Sequence, residues 1–327
     1  MPPHIRRRSC LNLNFCLAGI YTADDVIEQR RLVKLGRSTL VVSLPAEWVK
    51  KHKLKAGDML LLQVSDTYIK IVPAKKDGKE IKAIIEVDKD VKGLYRAIIS
   101  SYIAGADIIE VIVNKEDLVL EVLKQIKYAI SHLIGIEIVD QDINRFVLQT
   151  FINVDEQDLN SLVRKMASLI KIMIKYILQS NEVKNYIEDL ENEVDKLYRL
   201  ALRRLNLEGE SEALMSSLLT SLENASDTIP PLLENLNNTK GILDVLNLSI
   251  EMLDFISSYE IGSGKINEIN DKTDAVEHIE KELSTRPMDE KLKYRSLMLL
   301  HHIKNALLSL LNIEITNVIR NKQKLTL

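Results

Sequence analysis

The chain has 327 residues, 46% apolar and 28% charged, with a formal net charge of −3. That length accommodates two or three domains with cores of their own, and the balance excludes an intrinsically disordered chain. A net charge this small excludes a chain-wide field for nucleic acid, so any such contact must come from a local basic patch.

Aromatic residues make up only 5% of the chain, and Gly and Pro number 11 and 7. The cores are therefore aliphatic, and the chain is expected to be mostly helical with short connections. Residues 1–27 are read as a poorly ordered tail and a spurious upstream extension. Arg6 to Arg8 precede a weakly apolar stretch, but Asn12 and Asn14 interrupt it, so it is no signal peptide. The only cysteines, Cys10 and Cys16, lie in this tail. Two thiols are no disulfide framework for such a chain, so a reducing cytoplasm is the expected location. No apolar run reaches the roughly 20 residues of a membrane span, so no membrane insertion is expected.

Residues 29–43 read as strand, a turn at Gly36, and a β-branched strand. Pro45 suits a first helical turn, and residues 46–52 form one short helix. A hairpin follows over 59–64 and 68–72, around Ser65-Asp66-Thr67. So small a module holds a poor core alone, and dimerisation is the remedy. Between residues 29 and 57 the bases are Arg30, Arg31, Lys34, Arg37, Lys50, Lys51, Lys53 and Lys55, against the single acid Glu47. Phosphate backbones attract such a cluster by counterion release. Ordinary lysine solvation accounts for 50–55 but less well for the arginines flanking Gly36.

The run Lys34-Leu-Gly-Arg-Ser-Thr-Leu-Val-Val-Ser-Leu-Pro-Ala-Glu-Trp48, followed by Leu54-Lys-Ala-Gly-Asp58, resembles the SpoVT/AbrB family of DNA-binding domains, in its archaeal version. The resemblance implies a dimeric swapped-hairpin β-rich head over residues 28–75, with basic residues near its first loop on DNA. It implies contacts from Arg30, Arg31, Lys34 and Arg37, to which the helix adds Lys50 and Lys51.

Asp77-Gly78 is a turn. Beyond it, strands are expected at 81–87, 107–113, 136–139 and 145–152, and helices at 91–104 and 116–133. The order βαβαββ describes a small α/β domain over 78–152. It contains no glycine-rich phosphate loop and no catalytic grouping, and reads as a spacer or oligomerisation domain.

From Asp155 to about residue 323 the pattern is helical. Asp155 is the expected N-cap of a helix ending at Gln179, with Asp158 at the third helical position. In the next helix Val183, Ile187, Leu190, Val194, Leu197, Ala201 and Leu205 follow the 4-3 spacing of a bundle seam. A third helix carries Leu214, Leu218, Leu222, Ala225 and Ile229, and Pro230-Pro231 predict a kink or break. Helices at 239–259, 266–284 and 289–321 complete an all-α body of two tandem three-helix bundles.

Two Glu-x-x-x-Asp steps, Glu191–Asp195 and Glu223–Asp227, stand in this body. Residues four apart share a helix face, so each step sets two carboxylates side by side. Two helices carrying such steps can form an oxygen cage for a hard cation. A solvated acidic face accounts for the same spacing. Wheel positions place the acids at the border of the apolar stripe, in a shallow site open to water.

Asp189-Leu-Glu-Asn-Glu-Val-Asp-Lys-Leu-Tyr198 and Leu222-Glu-Asn-Ala-Ser-Asp227 resemble the two motifs of a PhoU-family helical repeat. The resemblance implies a surface metal cluster of iron, zinc, manganese or magnesium on Glu191, Asp195, Glu223 and Asp227, and control of phosphate uptake. The second bundle departs from it, with Asn267, Asn270, Asp271 and Asp274 on one helix and His301, His302 and Asn305 on the next.

The expected function is a DNA-binding transcriptional regulator coupling phosphate or metal status to phosphate transport genes. It would act as a homodimer or higher assembly. The alternative is a metal-binding adaptor that regulates a phosphate transporter by protein contact. A ferritin-like catalytic di-metal site would use Glu-x-x-His pairs facing a bundle interior, and the motif helices carry none. No enzymatic activity is expected.

Overall fold

The structure is a computed structural model describing residues 30–36, 39–64, 69–73, 80–152, 158–179, 183–208, 213–234 and 240–320. The expected tail, the Ser65–Thr67 and Asp77-Gly78 turns, Arg37 and Asp155 lie outside these residues. The chain falls into two compact units, divided between Asp58 and Met59.

In the first unit, β1 (Val33–Leu35) pairs antiparallel with β2 (Thr39–Val41). Gly36 turns between them at φ +71°, where a side chain would be strained. Helix α1 spans Ala46–Lys51. Pro45 stands just outside it, in the N-cap position rather than the first turn, with its carbonyl accepting from the Val49 amide at 3.0 Å. Leu32, Val33, Leu35 and Leu40 are each about 60% exposed. Four large aliphatic side chains in and beside so short a hairpin leave its apolar surface uncovered by the described residues of this unit.

The second unit begins with an antiparallel hairpin of β3 (Leu60–Val64) and β4 (Ile69–Pro73). The α/β domain follows the expected order. Its strands are β5 (Lys82–Val87), β6 (Ile108–Val113), β7 (Ile136–Gln141) and β8 (Arg145–Thr150), in the sheet order β5-β6-β8-β7. Strand β5 runs parallel to β6, as the helical crossover α2 (Leu94–Ile103) between them requires. The other pairings are antiparallel. A 3-10 turn (Glu116–Leu118) leads into α3 (Val119–Ser131). Ile98, Tyr102, Ile109, Ile126, Phe146 and Leu148 fill the core, and the Tyr102 hydroxyl donates to the Ile134 carbonyl at 2.8 Å.

The body comprises α4 (Leu159–Gln179), α5 (Lys184–Glu208), α6 (Ala213–Glu234), α7 (Leu243–Ser258), α8 (Ile266–Thr285) and α9 (Glu290–Arg320). Asp158, expected at the third helical position, caps α4: its carboxylate accepts from the amides of Asn160 and Ser161 at 3.3 and 3.1 Å. The expected break at Pro230-Pro231 does not occur, and α6 continues through both prolines to Glu234. Ile229, Leu232 and Leu233 are buried on either side of them. Packing of that face outweighs the lost amide donors. The two expected three-helix groups share one continuous core, because α6 packs along α9 and α4 along α7.

Candidate metal centre

Apolar positions four and three apart turn one stripe of α5 inward, burying Ile187, Val194, Leu197, Ala201 and Leu205. Glu191 and Asp195 border that stripe. In α6 the buried positions are Leu218, Leu222, Ala225 and Ile229, bordered by Glu223 and Asp227. Packing α5 against α6 therefore turns the two acidic borders toward each other. Tyr198 and Thr220 fix the pair beside the acids, with their hydroxyls 3.1 Å apart.

One carboxylate oxygen from each of Glu191, Asp195 and Asp227 lies within 4.8 Å of the other two. Glu223 belongs to the same electrostatic cluster: Asp227, Asp195 and Glu191 all act on its ionisation. Three of the four acids thus converge between the two helices, and Glu223 stands near enough to feel their charge. Asp227 is exposed and the other three are half-buried.

Crowding of carboxylates out of water favours the protonated forms of Glu191, Glu223 and Asp227. Burial, then the neighbouring Asp195 and Asp227, push Glu191 up to about 7. Burial, then Asp227 and Asp195, push Glu223 likewise up to about 7. Asp227 is raised by desolvation and by Asp195, although it keeps an exposed flank. Glu191 and Asp227 also share a hydrogen bond, which requires a proton between them. A cation would relieve this repulsion without a proton. An oxygen-only donor set suits a hard ion, and three oxygens within bonding reach of one point fit such an ion. Glu191, Asp195 and Asp227 would be its ligands, with Glu223 adjoining.

The site is less open than its wheel positions predict, because the α/β domain stands beside it. The Arg199 guanidinium pairs with the Asp195 carboxylate and donates to the His132 carbonyl, at the end of α3, at 3.2 Å. Tyr95 on α2 lies close enough that Arg199, Asp195 and Glu191 all influence its hydroxyl, whose pKa burial raises. Tyr95, Tyr128 and His132 form one ring cluster, with centroids 4.4 to 5.9 Å apart. One turn further along α5, Arg203 is almost wholly buried. It donates to the carbonyls of Tyr102 and Ala106 at 2.7 and 2.8 Å. Asn206 donates to the Ile103 carbonyl at 2.9 Å. Helix α5 thus supplies donors to the C-terminal ends of α2 and α3, where carbonyls lack intrahelical partners. The α/β domain is therefore docked on α5, the helix that carries Glu191 and Asp195.

The ladder Asp195, Arg199, Arg203 is visible at four-residue spacing. Sequence reasoning gave none of the three a role in holding another domain.

In the second bundle no comparable acid group forms among the described residues. Asn305 and His301 hydrogen-bond to each other at 3.1 Å, and burial pushes His302 below the usual histidine range. Lys304 and Glu280 form an ion pair between α9 and α8.

In the first unit Arg30, Arg31, Lys34 and Lys50 are exposed. Lys34 lies in β1 and Lys50 in α1, with Arg30 and Arg31 just before β1. Lys51 closes α1. No helix among the described residues is long and apolar enough to cross a membrane.

Residues 33–79 match the family model described as "Antidote-toxin recognition MazE, bacterial antitoxin". The match covers most of the basic hairpin module, ends before β5, and includes none of the helical body. No curated protein and no solved structure matches the chain significantly.

Proposed function

We propose that the chain is a cation-responsive regulator that binds DNA through its basic head and controls phosphate uptake genes. The carrying observation is the convergence of Glu191, Asp195 and Asp227 from two helices on a point that a hard cation fits. The MazE-like match to residues 33–79 and the exposed Arg30, Arg31, Lys34 and Lys50 support a nucleic-acid role for the head. The uncovered apolar side chains of its first hairpin support pairing with a second copy. The phosphate-uptake assignment rests on the resemblance of the two acidic motifs. Iron, zinc, manganese and magnesium are the candidate ions. The reading assigns no catalytic step to the chain.

A gel-shift series on promoter DNA from about 50 to 200 mM salt tests the head. A phosphate-contacting dimer loses affinity by orders of magnitude over that range. Removing Arg31 and Lys34 by alanine substitution reduces the salt slope by about one for each phosphate no longer neutralised. An unchanged slope refutes the DNA role. Elemental analysis of the purified protein tests the body, and Asp195→Asn with Asp227→Asn should abolish any bound ion.

The matching family's own description, antidote-toxin recognition, favours a second reading in which the head engages protein. The chain would then be a metal-binding adaptor on a phosphate transporter component. Retained regulation after deletion of the head distinguishes it.

A further inference from the structure

We infer that Arg199 is a built-in competitor of the cation, so that loading of the carboxylate site alters how the α/β domain is held on α5. The inference rests on reading Glu191, Asp195, Glu223 and Asp227 as a cation site.

Arg199 has two partners on different parts of the unit. One is the carboxylate of Asp195, a prospective ligand, and the other is the carbonyl of His132 at the end of α3. Its side chain is only 16% exposed, and that of Asp195 15%, so solvent screens the pair little. Around the guanidinium stand Asp195, Glu191, Glu223 and Asp227 from the body, and Tyr95 and the His132 carbonyl from the α/β domain. Arg199 is thus a positive charge already paired with the acid that a cation must engage. A bound cation takes up Asp195 and faces Arg199 with a like charge. Arg199 is then left with one partner in place of two and is repelled from the seam it bridges.

Arg203 and Asn206 are spared this competition, because they bind carbonyls of the α2 region, one and two turns further along α5. They keep the α/β domain attached whatever the site contains. Cation binding therefore loosens the α3 end of the junction while the α2 end stays fixed.

The experiment is calorimetric titration of the metal-stripped full chain with Mn²⁺, Zn²⁺ and Mg²⁺, for the wild type, Arg199→Gln and Arg199→Lys. Amide exchange over residues 128–134 is followed with and without the ion. Removing one positive charge a few ångströms from a cation raises its affinity by about tenfold or more at interior dielectric values. Arg199→Gln should therefore bind the ion more tightly by that factor, and Arg199→Lys should stay near the wild type. Exchange at 128–134 should quicken on loading in the wild type and not respond in Arg199→Gln. Wild-type binding with unchanged or weaker affinity in Arg199→Gln overturns the inference and leaves the cation reading intact. Failure of the wild type to bind any of these ions, or Fe²⁺ titrated in the same way, overturns both. Should Arg199→Gln not fold, the wild-type exchange response still decides, and its absence on loading overturns the inference.

Discussion

Arg203 holds Tyr102 twice: its guanidinium donates to the Tyr102 carbonyl at 2.7 Å and lies 4.9 Å from the centre of the Tyr102 ring. Burial pushes the guanidinium below its ordinary pKa, yet an arginine starts so high that it stays charged. The contact joins the body to the α/β domain with a permanent cation on the last carbonyls of α2, where the helix dipole is negative.

Arg203→Met should therefore destabilise the second unit by about 3 kcal/mol, since it removes two charge-assisted hydrogen bonds from carbonyls that keep only the Gly105 amide and the Thr150 hydroxyl as donors. Arg203→Lys should recover only part of this, because an ammonium cannot reproduce the planar fork. Urea unfolding measures both, and a change below about 0.5 kcal/mol for Arg203→Met would deny the contact any structural weight.

Gly105 sits at φ +96°, and a Cβ there would stand 2.7 Å from Cδ2 of Leu207 on α5. Gly105→Ala combines backbone strain with a clash in the same junction, and should cost about 2 kcal/mol. Gly262 has a similar φ of +94° but open space around it. Gly262→Ala therefore isolates the backbone cost and should be the milder change by thermal unfolding.

The acid cluster makes stability depend on pH in an unusual direction for carboxylates. Glu191 and Glu223 are raised to about 7 in the folded chain, from 4.5. The folded state therefore holds their protons more tightly than the unfolded state does. The associated stability is fully present below about pH 4.5 and is lost as pH rises through about 7. In the absence of metal, denaturant unfolding at pH 8 should show lower stability than at pH 5.5, by on the order of 2 kcal/mol from these groups. Glu223→Gln should flatten the dependence, and a bound cation should reverse the loss at pH 8. A profile in Glu223→Gln identical to the wild type would contradict the crowding of the site.

The head should not remain monomeric. Leu35 and Leu40 are 63% and 62% exposed in the first hairpin. Leu35→Glu with Leu40→Glu should raise the dissociation constant for self-association at least tenfold, by charging surface that a second copy would bury. Sedimentation velocity at several concentrations reads this. Unaltered association would place the contact elsewhere in the chain.

Much of the molecule is legible in its residues. The βαβαββ order and the helical body follow from periodicity, because each is set within one or two neighbouring elements, whereas spacing left Glu191–Asp195 and Glu223–Asp227 open to reading as a solvated face and only the resemblance of their motifs set them on one site. Pro230 and Pro231 allow a break that α6 does not make, since their local cost is plain but the burial of Ile229 and Leu232 that outweighs it belongs to the tertiary packing. Arg199 and Arg203 show the same limit. Four-residue spacing after Asp195 places them on its helix face but names no partner for them. Their partners, the carbonyls of His132, Tyr102 and Ala106, lie about 70 to 100 residues earlier and carry no side-chain signature.

Because α4, α6, α7 and α9 share a single interior, the body has no seam along which one half could swing from the other. On the proposed cation reading, a message originating at the carboxylates would not be broadcast by opening the bundles like a book. It must leave through the rim of α5, where guanidinium groups rather than leucines make the joint, and such a joint can be reset without melting anything.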